Sequence, residues 1–273
     1  TSVQGVAGTA DILERKCCFP MNYYEFFQGS LRERVSDGSS VPILSQDTAG
    51  SRCLVLLWPQ LGDFDSLEYA WWLQREKDLL ARTGIAVRAV GIGNRTSGEK
   101  FCRYTGFPAE HLCVDPTGAL HRQLRLYPGL NVKLPGLSPG LTGWLNLLLM
   151  CAGLGSPGTL AEVLRGYLGD RRAPQLIADD TVVKAAPLPP LTGRAFNLLG
   201  RGFQRPFELA TLRLRNMVEV LSHWSTYVPD SAYLGQRGAT FLFAPGGDVL
   251  YSHFDRGILG FAEDMSYPLA FLR

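Results

Sequence analysis

The chain has 273 residues, of which 46% are hydrophobic, and a formal net charge of +2. That is enough to bury a large core, as one elaborated domain or as two. No run of lysines or arginines marks a nucleic-acid surface, so nucleic acid is not expected as a partner. The longest apolar stretch, residues 144–154, is about half of the roughly 20 residues a membrane-spanning helix needs. Any membrane association is therefore expected to be peripheral at most. The chain opens Thr1-Ser2-Val3 without a methionine, as a protein trimmed of a targeting peptide does.

Taken in order, residues 22–35 predict a helix, with Phe26, Phe27, Leu31 and Val35 at helical spacing. Asp37-Gly38-Ser39-Ser40 then breaks it. The run from Cys53 to Trp58, closed by Pro59, reads as a buried strand. Residues 66–81 predict a long helix with Tyr69, Trp72, Leu73 and Leu80 on one side and Glu68, Arg75 and Asp78 opposite. Leu67 and Trp71 fall off the main stripe, and a helix apolar on two sides needs a cover on both. Residues 85–92 form a near-continuous apolar run, rich in β-branched residues and typical of a central parallel strand. A helix at 97–104, a strand at 112–114 and a helix at 119–126 follow. Far downstream, 239–243 and 248–251 flank Ala244-Pro245-Gly246-Gly247, a hairpin signal. This order predicts an α/β sandwich with helices on both faces of a sheet.

Between 130 and 237 lies an insertion far longer than an ordinary connection. Its turn-rich opening at 134–140 leads to an apolar helix near 144–152. Thr159 is placed to cap the next helix. Residues 185–191, with three prolines, are expected to run extended. Pro206 is placed at the first position of a further helix, lined by Phe207, Leu214, Met217, Val218, Leu221 and Trp224. The division that results is an N-terminal extension and helix at 1–45, an α/β domain at 46–130 plus 235–273, and a helical insertion at 131–234.

Six cysteines stand at 17, 18, 53, 102, 113 and 151, without a Cys-x-x-Cys pair, so neither a disulfide framework nor a zinc signature is present. Cys53 and Cys113 sit in apolar runs, as small core residues do. Cys102, between Lys100 and Arg103, is the first candidate for a reactive thiol, with Cys113 the second. The adjacent Cys17 and Cys18 are candidates through exposure near the terminus. His111, His121, His223 and His253 show no ligand spacing, so no metal is expected. There is no Gly-x-Ser-x-Gly and no phosphate-cradling loop, and no cofactor is expected.

Several strings carry a family resemblance: Leu61-Gly62-Asp63-Phe64-Asp65-Ser66-Leu67-Glu68-Tyr69, Val90-Gly91-Ile92-Gly93, Tyr104-Thr105-Gly106-Phe107-Pro108, Val114-Asp115-Pro116 and Arg237-Gly238-Ala239-Thr240-Phe241-Leu242. From about residue 22 onward the chain resembles the peroxiredoxin-like proteins of the AhpC/TSA superfamily, in particular their cyanobacterial and chloroplast branch. Gly155-Ser156-Pro157-Gly158-Thr159-Leu160 and Ile177-Ala178-Asp179-Asp180 extend the likeness into the insertion. The resemblance implies a thioredoxin-like sandwich, with the large, mainly helical insertion placed before the C-terminal β-hairpin. It also implies a peroxide site made of a cysteine, a threonine three residues before it and an arginine ahead of a late strand. Those positions here hold Ser66, Asp63 and Arg237. Peroxide reduction needs a thiolate, and a serine hydroxyl has no sulfenic state to pass through. Two aspartates at the helix start would further oppose a thiolate. No catalytic residue is therefore expected at this degenerate site. Asp65 is read as the helix cap with Glu68 completing the box, and Asp63 as an ion-pair partner for Arg237.

The reading that follows is a redox-degenerate protein that works by binding another protein through the insertion, with Trp144, Leu147 and Leu148 as contact residues. The resemblance to plastid members places it in the chloroplast stroma or on the stromal face of the thylakoid. Its role there would be that of an auxiliary factor in the assembly, repair or protection of a photosynthetic membrane complex such as photosystem II. Two alternatives stand beside it: a thiol-dependent antioxidant using Cys102 or Cys113, and a small-ligand carrier with an anion near Arg237 or an apolar molecule beneath the insertion.

Overall fold

The computed structural model describes residues 21–45 and 50–273. Cys17 and Cys18 lie outside the described residues. At the centre is β3 (Cys53–Gln60), every residue of which is buried. It pairs in parallel with β4 (Ala86–Ile92) and antiparallel with β8 (Ala239–Phe243). Alternation along β3 sorts its side chains to two faces. Leu54, Leu56 and Trp58 join Tyr69, Trp72 and Phe101 on one side. Cys53, Val55 and Leu57 join Phe27, Leu120 and Phe241 on the other. A strand covered on both faces must be largely apolar, as Cys53–Pro59 is, with the polar Gln60 at its end.

Among the described residues the sheet has seven strands. Beyond β4 lies β5 (Leu112–Val114), then β1 (Leu31–Arg34) and β2 (Ser40–Pro42) at one edge. Beyond β8 lies β9 (Val249–Phe254) at the other. This is the thioredoxin-like sandwich with an added N-terminal hairpin. The helix expected over 22–35 is therefore wrong in its second half. α1 (Tyr23–Gly29) is capped by Asn22, whose side chain accepts from the Glu25 amide, and it ends at Gly29. The chain then extends, because β5 offers its backbone groups to Glu33 and Arg34. Leu31, at helical spacing from Phe27, lies exposed on the strand.

The long helix expected at 66–81 is two helices, α2 (Phe64–Arg75) and α3 (Lys77–Thr83), separated at Glu76, which leaves helical geometry. α4 (Arg95–Thr105) carries a capping box between Asn94 and Ser97. α5 (Ala119–Gln123) is shorter than expected, because the chain turns through a left-handed Arg125.

In the insertion, α6 (Pro139–Cys151) and α7 (Thr159–Leu168) follow one another. Thr159 does not cap α7. Gly158 holds that position, and the Thr159 hydroxyl bonds Ser156 and the Ile258 carbonyl instead. The segment 185–191 is not straight either. Leu188 donates to the Ala185 carbonyl at 2.9 Å, and the turn joins β6 (Val182–Val183) to β7 (Leu191–Thr192). α8 (Glu208–Ser222) starts two residues after Pro206, with Phe207 in the left-handed region at its cap, and α9 (Trp224–Tyr227) closes the insertion. Trp71 packs against a cluster that includes Leu176, Ile177, Val183 and Leu209, so the insertion supplies the second cover that α2 required.

Candidate functional site

β3 delivers the chain to Gln60, and three residues later Asp63 caps α2 by accepting from the Asp65 amide at 3.0 Å. Ser66 lies in the first turn, with no exposed surface, and its hydroxyl donates to the Gln60 carbonyl at 2.9 Å. From the opposite direction, Arg237 enters just ahead of β8. Gly238 permits the approach, since a Cβ there would run into the Leu57 carbonyl oxygen. The structure thus brings Asp63, Ser66 and Arg237 to one helix tip, as the sequence implies.

Arg237 has no exposed surface. Its Nη2 donates to Asp63 Oδ2 at 2.6 Å and to the Leu234 carbonyl at 3.3 Å. Nη1 donates to Asp63 Oδ1 at 3.4 Å and Asp65 Oδ2 at 3.2 Å, and Nε to the Gly235 carbonyl at 3.0 Å. A guanidinium has five N–H groups, and every one of them is taken. No donor remains for a peroxide oxygen or an anion.

Asp65 is therefore not the cap. It is buried, with Oδ2 on Arg237 and Oδ1 accepting from the Leu259 amide at 2.6 Å. Glu68 does not complete a capping box either. It turns under the insertion, where Arg213 grips it at 2.7 and 3.1 Å. A third carboxyl, Asp255, accepts from the Gly238 amide at 3.1 Å through Oδ2, while its buried Oδ1 has no hydrogen bond. Burial pushes Asp255 up to about 7, against the pull of Arg237. Burial and then Asp63 hold Asp65 above the usual carboxylate range. Burial acts to lower Arg237, but Asp63 and Asp65 outweigh it and raise the guanidinium above its ordinary value. Sequence reasoning misses Asp255 because only the hairpin's return brings it beside Arg237.

The thiols are poorly placed for reaction. Cys102 is buried, and burial followed by Glu110 pushes it up to about 12. Its neighbour Lys100 pairs with Glu219 at 2.8 Å instead of sensitising it. Burial raises Cys113 to about 11. Neither carries the lowered pKa that a reactive cysteine needs. Cys151, to which the sequence assigns no role, is half-buried at the end of α6, and burial and then Asp63 raise it also. Of the histidines, His121 is buried with Nε2 on the Trp58 carbonyl at 2.9 Å, and burial lowers it to about 4, so it stays neutral.

Directly above this tip is a cavity of about 270 Å³, bounded by α6, α8, α9 and the loop from Gln60 to Phe64. Trp144 and Leu147, expected as outward contacts, are half-buried in its wall, and Trp144 stacks on Trp224 with ring centroids 4.6 Å apart. Leu148 lies at its mouth and is 60% exposed. Among the described residues, no helix is long and apolar enough to cross a membrane.

A mixed sheet with helices on both faces defines a thioredoxin-like α/β sandwich. The model of the AhpC/TSA antioxidant enzyme family matches residues 72–257, more than half of the chain, and the chain belongs to that family. The match begins beyond Ser66, so the loop holding Asp63 and Ser66 lies outside it. Two solved structures from Xanthomonas campestris are similar. A cysteine-to-serine mutant of peroxiredoxin Q is 12% identical, with a TM-score of 0.40 over 86% of each chain. The bacterioferritin comigratory protein, in a study of alkyl peroxide reduction, is 11% identical, with a TM-score of 0.40 over 86% of this chain and 87% of that one. A search of curated proteins finds no match.

Proposed function

We propose that this chain is a redox-degenerate member of its family that acts by binding another protein. One observation carries the reading: all five N–H groups of Arg237 are bound within the protein, two of them to Asp63 and one to Asp65. A working peroxide site needs free donors aimed at the reacting oxygen and a thiolate beside them. Here the donors are closed off and the sulfur is an oxygen.

The α/β unit of 46–130 with 235–273 then serves as scaffold, and the insertion of 131–234 as the binding element. α6 carries no charged residue, and Leu141 and Leu148 on it are exposed, as are Leu160, Leu164 and Leu168 on α7. Apolar exposure concentrated on neighbouring helices is the mark of an interaction surface. Leu148 anchors the contact, and Trp144 and Leu147 stand behind it. The resemblance to chloroplast and cyanobacterial members supports a stromal or thylakoid-surface location. It also supports a role in assembling, repairing or protecting a photosynthetic complex such as photosystem II.

The test is affinity isolation from thylakoids after mild crosslinking, with wild type and a Leu148→Asp/Leu164→Asp variant side by side. Recovery of photosystem or cytochrome-complex subunits by the wild type alone supports the reading. Equal recovery by both, or none by either, overturns it. A parallel thiol-coupled assay is expected to show no peroxide consumption.

A further inference from the structure

The cavity above the α2 tip has a chemistry that partner docking does not use. Its lining is almost wholly apolar, and its one charged side chain, Asp63, is already bound to Arg237. It therefore offers nothing to balance an anion or a cation, and burying an unpaired charge there would be strongly unfavourable. At about 270 Å³ it lies just below the roughly 300 Å³ at which drug-sized ligand pockets begin. Apolar cavities of about 150 Å³ stay dry and take molecules the size of benzene. The stacked Trp144 and Trp224 present an aromatic wall.

One polar group breaks the pattern. Gln60, 2% exposed, lines the same cavity. Its Nε2 donates to the Asp230 carbonyl, while its Oε1 is buried without a hydrogen-bond partner. An unmatched buried acceptor is costly, and a donor brought to it recovers that cost.

We infer that this cavity is a binding site for a neutral, ring-sized apolar molecule bearing one hydroxyl group. Its ring lies along the tryptophan pair, and its hydroxyl donates to Gln60 Oε1. Much of the wall comes from α6, α8 and α9, so the site is a product of the insertion. The cavity shares Trp144, Leu147 and Leu148 with the docking surface, but the inference rests on the tryptophan pair and on Gln60, neither of which the docking reading needs.

The probe is 2-naphthol, titrated into the whole protein by calorimetry beside 2-methoxynaphthalene, which lacks the donor, and 2-naphthoate, which is charged. Saturable binding of 2-naphthol is expected, about five-fold tighter than the methyl ether and more than about ten-fold tighter than the carboxylate. The position is read at Cys151, which lines the cavity. Saturating 2-naphthol should slow its alkylation by iodoacetamide about three-fold or more, scored by peptide mass spectrometry, as burying a thiol slows its reaction. In Gln60→Leu the preference for the free hydroxyl should vanish. Should that variant fail to fold, the three-probe comparison on wild type still decides. Absence of saturation below millimolar, an unchanged Cys151 rate, or equal affinity for the three probes overturns the assignment.

Discussion

Arg237 and Asp63 meet through two hydrogen bonds, at 2.6 and 3.4 Å, across the gap between the segment just ahead of β8 and the tip of α2. The pair is structural: the arginine's donors are all spent inside the protein. Restoring sulfur alone should therefore fail. A Ser66→Cys variant is expected to consume peroxide no faster than wild type, because its thiol would be buried beside Asp63 and Asp65. Adding Asp63→Thr frees two donors of Arg237 and removes one negative charge. The pH profile for alkylation of the introduced thiol should then shift to lower pH. A Ser66→Cys single variant already active with a thiol reductant would contradict this account.

The same pair should be a large contributor to stability. Replacing Arg237 with Leu leaves Asp63, Asp65 and Asp255 facing one another without a cation, and breaking such a buried pair costs about 3–5 kcal/mol. Asp63→Asn should cost less, since asparagine caps a helix about as well as aspartate and Asp65 still faces Arg237. Urea unfolding of the two variants measures the difference. Equal losses would mean that Asp63 alone carries the arginine's contribution and that Asp65 adds nothing to it.

The carboxyl cluster also sets a pH dependence. Asp255 is held up to about 7 by burial, so the folded protein keeps a proton there that the unfolded chain has already lost. Stability from this group is fully present below the unfolded carboxylate value near 4, and it is lost as pH rises through about 7. Asp65, raised by burial and by Asp63, acts in the same direction. Asp255→Asn is expected to melt higher than wild type at pH 8 and to show a flatter slope between pH 5 and 8. The check is the melting temperature across that range, and a wild-type advantage at pH 8 would refute the assignment.

How far the sequence announces these features depends on whether they are local. β3 and β4 are legible because a strand segment covered on both faces has to be apolar, as Leu54–Leu57 and Ala89–Ile92 show. The N-terminal hairpin is not, because Phe27, Leu31 and Val35 recur every four residues and mimic a helix face. Only the pairing of β1 with β5 overrides that signal. Asp63 facing Arg237 is readable from the family resemblance. Asp255, Gln60 and the Trp144–Trp224 stack are not, since each acquires its role from a neighbour distant in sequence. Glu68 reads as a polar-face residue because the side chain that buries it, Arg213, lies in the insertion.

That last pair bears on how the insertion is held. Arg213 on α8 grips Glu68 on α2 at 2.7 and 3.1 Å and donates to the Glu162 carbonyl on α7 at 2.8 Å, so one guanidinium joins three helices. Arg213→Met should destabilise the protein by about 3–5 kcal/mol, because Glu68 would be left buried and unpaired. Arg213→Lys should recover only part, since a lysine cannot reproduce the two-pronged contact. The double variant Glu68→Met/Arg213→Met should recover most of it, because two apolar side chains in place of a buried pair are often neutral or better. Urea unfolding of the full cycle gives the coupling energy directly. If Arg213→Met unfolds like wild type, the insertion is held by apolar packing through Leu209 and Val220, and the ion pair is incidental to it.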